Sequence, residues 1–387
     1  MLEEMGYEKV AGIAEEAMHA RYREEFPVTG ELIYLNHAAV GPLCRPAARA
    51  MTQLAEDVCR YGSLHWDRWM EAYEGLRRAA AKTIHASPDE IAIVKNTSEG
   101  IATIAQGFPW KAGDRVVAFE EEFPANYYPW ARLEKRGVQV TWLSIYDSME
   151  RIARAVEGAR LLSVSFVNYL SGHRMDLKAI GQACRAHDCF FFVDAIQGMG
   201  AFPIDVEAWQ IDALAADGHK WMLGPEGNGV LYVRRKWLDA IEPVEFGWMN
   251  PASYADYGLR DMTLRRDAGR YECGTLNTVG CYGLRAALDF LLEAGVRNIS
   301  AAVLAIAGRL EQGLRRRGYE LMSERRGETA SGIVTFRHPS IDCRSIVGGL
   351  KSNRILAAPR QGWVRMSPHF YISPEDIDQV LSALPAV

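Results

Sequence analysis

The sequence predicts an α/β protein with a large, mainly parallel sheet, joined to a smaller α+β domain. At 387 residues the chain exceeds one average domain. Up to about residue 285, short apolar runs alternate with helical patterns, which is typical of strands covered by helices on both faces. From residue 286 onward, long helical patterns dominate. We therefore expect a large domain over residues 31–285 and a small domain formed by residues 1–30 and 286–387.

In the large domain, short apolar runs rich in β-branched and aromatic residues predict strands. They lie at residues 91–94, 115–119, 138–145, 161–166, 189–194 and 230–233. A helical pattern at 177–187 separates two of these runs, and Asp176 is its expected N-cap.

In the small domain, helical patterns cover residues 284–293 and 299–317, and strand candidates lie at 332–336 and 363–367. A closing helix is expected after Ser373, which opens a Ser-Pro-Glu-Asp capping signature. The first thirty residues also read as helical, and we expect them to pack on this domain.

Composition excludes several classes of protein. A net charge of −5 gives no reason to expect nucleic acid or an anionic membrane as partner. The acid-rich start lacks the pattern of a secretory or transit peptide, and no apolar run approaches the ~20 residues that span a bilayer. Seven cysteines, an odd count without CxxC, argue against disulfides and zinc. We expect a cytoplasmic protein without a metal site.

Two central segments carry the residue types of a catalytic site. The apolar run at 190–193 ends on Asp194, and ligands of open α/β sheets bind at the carboxyl ends of strands. Lys220 follows a mostly apolar stretch and precedes the glycine-rich segment 224–229. Burial lowers the pKa of an amine and makes it a Schiff-base nucleophile. Taken singly, however, a turn Asp and a surface Lys are the commoner explanations.

Together the two residues match the needs of pyridoxal 5'-phosphate (PLP). That cofactor requires a lysine for a Schiff base and a carboxylate facing its pyridine nitrogen. Asp194, opposite a cation, would stay ionised. Gln197, three residues further on, is placed to donate a hydrogen bond to the phenolate oxygen of the ring.

A candidate phosphate site precedes these segments. Thr97 and Ser98 lie between the apolar run 91–94 and the helical pattern 101–108. At a helix N-terminus, free N–H groups and the macrodipole attract anions. An ordinary helix cap would use the same residue types.

The order of these motifs along the chain resembles the order found in one family. Five segments share its pattern, together with Asp194-Ala-Ile-Gln197: Tyr34-Leu-Asn-His-Ala-Ala-Val-Gly41, Asn96-Thr-Ser-Glu99, Asp217-Gly-His-Lys-Trp221, Gly274-Thr-Leu-Asn-Thr278 and Arg365-Met-Ser-Pro-His-Phe-Tyr371. From about residue 30 onward the chain resembles fold-type I PLP enzymes of the class V aminotransferase family. That family includes cysteine desulfurases, selenocysteine lyases, isopenicillin N epimerase-like proteins and kynureninase. The resemblance implies a seven-stranded sheet and a homodimer.

The resemblance also implies roles at the cofactor. Lys220 would hold PLP and move the Cα proton, Asp194 would pair with the pyridinium, and Gln197 would contact the ring oxygen. The phosphate would be held by Thr97, Ser98 and His219, and by Thr275 and Thr278 of the partner subunit.

On the substrate side, Phe123 occupies the place of a ring-stacking His of the desulfurases. A Phe preserves stacking but not acid–base chemistry. Asn168 would lie beside the ring and the substrate, and His37 is a further candidate substrate contact. Arg365 would clamp the substrate carboxylate with its bidentate fork.

Two positions depart from the desulfurase pattern. Asp217 stands where a Ser or Thr often contacts phosphate, so we expect it to face away or to pair with a cation. Residues 354–362 contain no persulfide-accepting cysteine, and Cys343 is the only nearby thiol. A sulfur-relay desulfurase is therefore not expected.

The resemblance implies an amino-acid substrate that reacts through an external aldimine and a Cα carbanion. We expect β-elimination, as in a C–S lyase or selenocysteine lyase. An aminotransferase or an epimerase remains an alternative, with His37, His173 and Tyr169 as candidates for a second acid.

Competing classes fit less well. A nicotinamide enzyme would need GxGxxG, which fails after Gly200, and no Walker motif occurs. A non-catalytic PLP-binding homologue would not need to retain Lys220, Asp194 and Arg365 together.

Overall fold

The computed structural model describes residues 15–387, so the predictions for residues 1–14 lie outside it. The described helices, in chain order, are α1 (Glu15–Tyr22), α2 (Arg45–Tyr61), α3 (Trp66–Ile84), α4 (Thr97–Gly107), α5 (Tyr128–Ala131), α6 (Met149–Val156), α7 (Leu177–Ala186), α8 (Thr278–Ala294), α9 (Val296–Arg316), α10 (Cys343–Ser352) and α11 (Pro374–Ala383). The strands are β1 (Ile33–Tyr34), β2 (Ile91–Val94), β3 (Arg115–Phe119), β4 (Gln139–Leu143), β5 (Leu161–Ser165), β6 (Phe190–Asp194), β7 (Ala213–Asp217), β8 (Gly229–Val233), β9 (Glu320–Leu321), β10 (Val334–Arg337), β11 (Ile355–Leu356), β12 (Ala358–Arg360) and β13 (Trp363–Met366).

The main sheet has seven strands in the order β2-β8-β7-β6-β5-β3-β4. Strand β8 runs antiparallel to both of its neighbours, and the other pairs are parallel. All residues of β5, β6, β7 and β8 are buried, because helices cover both faces. The predicted fold class, with its mainly parallel seven-stranded sheet, is confirmed.

The prediction missed strand β7, Ala213–Asp217. Its sequence Ala-Leu-Ala-Ala-Asp lacks β-branched residues and reads as a generic apolar stretch. Its place between β6 and β8, with both faces covered, makes it a strand. Small side chains also let α4 approach closely: a Cβ at Gly100 would lie 2.7 Å from the Cβ of Ala215.

Local capping decided the helix boundaries. Asp176 caps α7 by accepting from the backbone N–H of Ala179, as predicted. Helix α8 begins at Thr278, earlier than predicted, because the Asn277 side chain accepts from the N–H of Gly280 at 3.1 Å. The capping box at Ser373 is present at the start of α11.

The C-terminal part forms a second sheet, β12-β13-β10-β9. Helix α1 packs beside this part of the chain: the Tyr22 ring lies 5.6 Å from Phe290 and 5.8 Å from Phe370, edge to face. The exact division into two domains stays a prediction.

Within residues 15–387, no single helix is long and apolar enough to cross a membrane. Helices α8 and α9 meet that test of length and composition only as a pair, and they are bent by 82°.

Candidate active site

The site is built at the carboxyl ends of two neighbouring parallel strands. Strand β6 ends on Asp194, which pairs in register with Ala215 of β7. Strand β7 ends on Asp217, and Lys220 follows in the next turn. Parallel strands bring both acids and the amine to one edge of the sheet.

The backbone around Lys220 is held by a close approach of the N-terminal segment. The N–H of Gly41 donates to the carbonyl of His219 at 2.6 Å. A Cβ at Gly41 would lie 2.4 Å from the Lys220 carbonyl oxygen, so only glycine fits there. The opening segment therefore fixes the turn that carries the amine.

The amine of Lys220 is poised to react. Burial lowers its pKa to about 8, and the charge of Arg365 acts in the same direction. The charges of Asp194 and Asp217 oppose this shift. About a tenth of the amine is then neutral at pH 7. Its Nζ lies 5.8 Å from the centroid of the Phe123 ring.

Asp194 is a buried carboxylate, 3% exposed. Its Oδ1 accepts from the N–H of Ile196 at 3.0 Å. Burial raises its pKa to about 6, while that hydrogen bond and the charge of Lys220 lower it. The group is therefore mostly ionised at neutral pH and suits a cationic ring nitrogen.

The Gln197 amide is fixed in one orientation. Its Oε1 accepts from the indole N–H of Trp221 at 2.8 Å, and its Nε2 donates to the carbonyl of Ala38 at 2.9 Å. An amide nitrogen carries two hydrogens, so one donor hydrogen remains for a further acceptor. The phenolate contact stays a prediction.

The predicted phosphate residues surround the N-terminus of α4. Asn96, rather than Thr97 or Ser98, is the N-cap, and its side chain accepts from the N–H of Glu99. The Thr97 hydroxyl accepts from the N–H of Asp217 at 3.0 Å, which ties α4 to the end of β7. Ser98 is exposed.

The Asp217 carboxylate lies against the His219 imidazole, and its expected pairing with a cation stays a prediction. His219 Nδ1 lies 3.0 Å from Asp217 Oδ2.

Arg365 is a buried guanidinium, 2% exposed, on strand β13. Its Nη1 donates to the carbonyl of Tyr169 at 2.6 Å. Burial and the nearby Arg360 lower its pKa to about 10, so it remains a cation at neutral pH. A buried cation of this kind is suited to a carboxylate.

These residues fit PLP. Three of their buried polar atoms make no hydrogen bond to the described residues: Asp217 Oδ1, Arg365 Nε and His219 Nδ1, whose 3.0 Å contact with Asp217 Oδ2 lacks hydrogen-bond geometry. Two of the three are side-chain nitrogens that can donate to an anion such as a phosphate or a carboxylate. The amine of Lys220 and the carboxylate of Asp194 complete the set.

The other predicted residues have local partners. The Asn168 side chain donates to the carbonyl of Glu121 at 2.7 Å and accepts from the N–H groups of Leu170 and Ser171. His37 is fully buried: Nδ1 bonds the Ser367 carbonyl and Nε2 the Tyr371 hydroxyl. Because these hydrogen bonds already occupy the Asn168 amide and the His37 imidazole, the substrate roles of the two residues stay predictions.

The two threonines of the predicted partner-facing loop differ. Thr278 begins α8, and its hydroxyl bonds the Tyr73 hydroxyl at 2.6 Å. Thr275 is exposed and lines an apolar cavity with Trp66 and Trp248.

The sequence interpretation missed Glu122. This buried acid follows the end of β3, and its carboxyl bonds both the N–H and the hydroxyl of Ser165, which pairs in register with Asp194. Burial raises the Glu122 pKa to about 8, which leaves the carboxyl largely neutral at pH 7. The sequence carried one signal: an acid stands directly before Phe123. It follows β3, which one strand separates from β6 and its Asp194.

An amine, a carboxylate and a helix N-terminus at one sheet edge define a PLP-dependent enzyme. The family model for class V aminotransferases matches residues 33–380, and the chain belongs to that family.

Similar proteins agree with this assignment. An uncharacterized aminotransferase, YcbU, of Bacillus subtilis is 29% identical over 96% of this chain and 98% of its own. A probable cysteine desulfurase of Methanothermobacter thermautotrophicus is 30% identical over 92% of this chain and 94% of its own. The apo cysteine desulfurase of Thermococcus onnurineus superposes with a TM-score of 0.86, at 26% identity over 94% and 96%.

Proposed function

We propose that the protein cleaves the C–S bond of a cysteine-derived amino acid by β-elimination. The observation that carries the proposal is the convergence of Lys220, Asp194 and the buried Arg365. Relatives named as cysteine desulfurases support carbon–sulfur chemistry. The balanced reaction converts R–S–CH2–CH(NH3+)–COO− and water into a thiol, pyruvate and ammonium.

The residues of this chain divide the work. When bound, PLP supplies an electron sink that makes the Cα proton of an amino acid removable. Arg365 binds the substrate carboxylate. Lys220 takes the proton from Cα with its neutral amine, and Asp194 holds a proton on the pyridine nitrogen. Phe123 would stack on the cofactor ring, and Thr97, Ser98 and His219 would hold its phosphate.

A persulfide relay is not part of the proposal. The segment 354–362 contains no cysteine, and Gln361 in that segment donates to the Tyr169 hydroxyl at 2.9 Å. The nearest thiol in sequence, Cys343, is 5% exposed at the start of α10. Sulfur is therefore expected to leave directly, as a thiol or sulfide.

Product analysis tests the reaction. The purified holoenzyme is incubated with L-cysteine and S-alkyl-L-cysteines, and pyruvate is measured with lactate dehydrogenase. We expect pyruvate and thiol in equal amounts. An intact keto acid with an aminated acceptor would instead identify an aminotransferase, and formation of the D-amino acid would identify an epimerase.

We further propose a homodimer. Thr275, which the family resemblance places at the phosphate of the partner subunit, lines an apolar cavity of about 270 Å³. Nearby Trp248 and Tyr257 are 38% and 70% exposed, an apolar surface that a second copy would cover. Light scattering should give twice the chain mass, and a fully active monomer would contradict the proposal.

A cytoplasmic location is also proposed. The structure pairs none of the chain's seven cysteines in a disulfide, which suits a reducing compartment. Cell fractionation would place the protein with soluble markers, and recovery from an oxidising compartment would contradict this location.

A further inference from the structure

A second cavity opens directly beside the proposed catalytic residues. It has a volume of about 430 Å³ and shares Tyr169 with the site. Arg365 bonds the Tyr169 carbonyl, and the Phe123 ring lies 5.2 Å from the Tyr169 ring, edge to face. Lys220 Nζ is 5.8 Å from the same Phe123 ring, so the cavity lies next to the residues that surround the amine.

Tyrosine rings form much of the wall. Tyr127, Tyr128, Tyr146 and Tyr169 all line the cavity. The Tyr127 ring is held by stacking on Trp142, with centroids 4.2 Å apart. The faces of aromatic rings carry partial negative charge and attract cations.

The charged lining residues are acidic. Glu120, Glu121 and Glu122 line the cavity, and among its described lining residues none is Lys, Arg or His. Glu121 is fixed by the hydroxyl of Ser144 at 2.6 Å and the N–H of Ile145 at 3.0 Å. Glu122 is largely neutral, so Glu120 and Glu121 supply the negative field.

Two basic side chains adjoin the wall: Arg365, which the proposed function assigns to the substrate carboxylate, bonds the Tyr169 carbonyl, and His173 lies behind Tyr146. The His173 ring is 5.2 Å from the Tyr146 ring. Burial lowers the His173 pKa, although the charge of Glu121 raises it. The imidazole is therefore neutral at pH 7 and does not offset the acidic wall.

From this geometry we propose that the substrate carries a positive charge at its far end, as an amine or quaternary ammonium group, which binds among the tyrosines beside Glu120 and Glu121. The inference rests on the proposed function, because it places the substrate carboxylate at Arg365 and the reacting carbon at Lys220. The substrate would thus be a cysteine S-conjugate with a cationic substituent.

Two probes of equal length test the charge preference. S-(2-Aminoethyl)-L-cysteine carries an ammonium where S-propyl-L-cysteine carries a methyl group. A cationic substituent also makes the thiolate a better leaving group, so the native preference alone decides nothing. The deciding quantity is how much a substitution changes the ratio of the kcat/KM values for the two probes. Each probe has the same leaving group with every variant, so the leaving-group effect cancels from this comparison.

The variants are chosen to isolate the cavity charge. We expect Glu120→Gln to lower kcat/KM for the aminoethyl probe by about five- to ten-fold and to leave the propyl probe within about two-fold. Tyr146→Leu should act in the same direction. Glu134→Gln, an exposed acid outside the lining, is the matched control and should change neither probe.

The outcomes separate the two proposals. Equal effects of Glu120→Gln on both probes, or none on either, would overturn the cationic substrate. If no probe gives pyruvate, the proposed β-elimination fails, but titration of the visible cofactor absorption still yields Kd for both probes. Tighter binding of the aminoethyl probe than of the propyl probe, lost in Glu120→Gln, would then support the cavity assignment alone. Absence of such a preference in Kd would overturn that assignment.

Discussion

The cofactor side and the substrate side of this site are built differently. Asp194 and Gln197 are 3% and 2% exposed and follow directly from a central strand. Tyr128 and Tyr146, on the wall of the acidic cavity, are 66% and 55% exposed and come from separate segments, the start of α5 and the turn after β4. The proposed cofactor residues thus lie on the buried sheet, whereas the proposed pocket for the substrate side chain is lined by surface segments that can vary without disturbing the core.

The largest effect is expected at the cofactor side. Asp194→Asn removes the charge that keeps the pyridine nitrogen protonated while preserving shape. Activity should fall by roughly 10²–10⁴-fold with PLP still bound. The matched control is Asp188→Asn, an exposed position with φ of 51° that Asn also tolerates. Pyruvate formation measures both, and an active Asp194→Asn variant would remove Asp194 from the proposed chemistry.

A smaller effect is expected where the two sides meet. Arg365→Leu removes the proposed carboxylate clamp, so KM should rise by about 10–100-fold with a smaller change in kcat. Arg365→Lys keeps the charge but loses the fork, and should recover only part of the affinity. Thermal melting shows whether each variant is folded. An unchanged KM in a folded Arg365→Leu protein would contradict the clamp.

The smallest effect is expected at Glu122. Because its carboxyl is largely neutral, Glu122→Gln should leave activity at pH 7 within about three-fold. The folded-state pKa is raised to about 8, so the stability linked to the protonated carboxyl is present below its ordinary pKa and lost as pH rises through 8. The Gln variant should therefore lose less stability between pH 6 and 9.

Denaturant unfolding at several pH values measures this difference. An equal pH dependence in both proteins would show that Glu122 does not take up a proton on folding. Glu134→Gln again serves as an exposed control, and it should follow the native pH profile.

Local signals made the cofactor side predictable. Asp194 and Lys220 each follow an apolar run; the strand-end rule predicts that Asp194 faces the crevice, and the chemistry of PLP links it to Lys220. Strand β7 was missed because its alanines carry no strand signal, and only burial between two other strands makes it one.

The substrate side was not predictable in the same way. Its cavity combines several residues between positions 120 and 128 with Tyr146, Tyr169, Met322 and Gln361, which are distant in sequence. No periodicity or spacing connects such residues, because their proximity depends on how the loops pack. Glu122 was missed for the same reason: its burial depends on Ser165, which lies 43 positions away.

The most direct test of the account is the covalent attachment of the cofactor. The purified holoenzyme is reduced with borohydride, digested, and mapped by mass spectrometry, with Lys220→Ala treated in parallel. We expect a pyridoxyl group on Lys220, and neither label nor pyruvate formation in the variant. A label on another lysine, or full activity of Lys220→Ala, would contradict it.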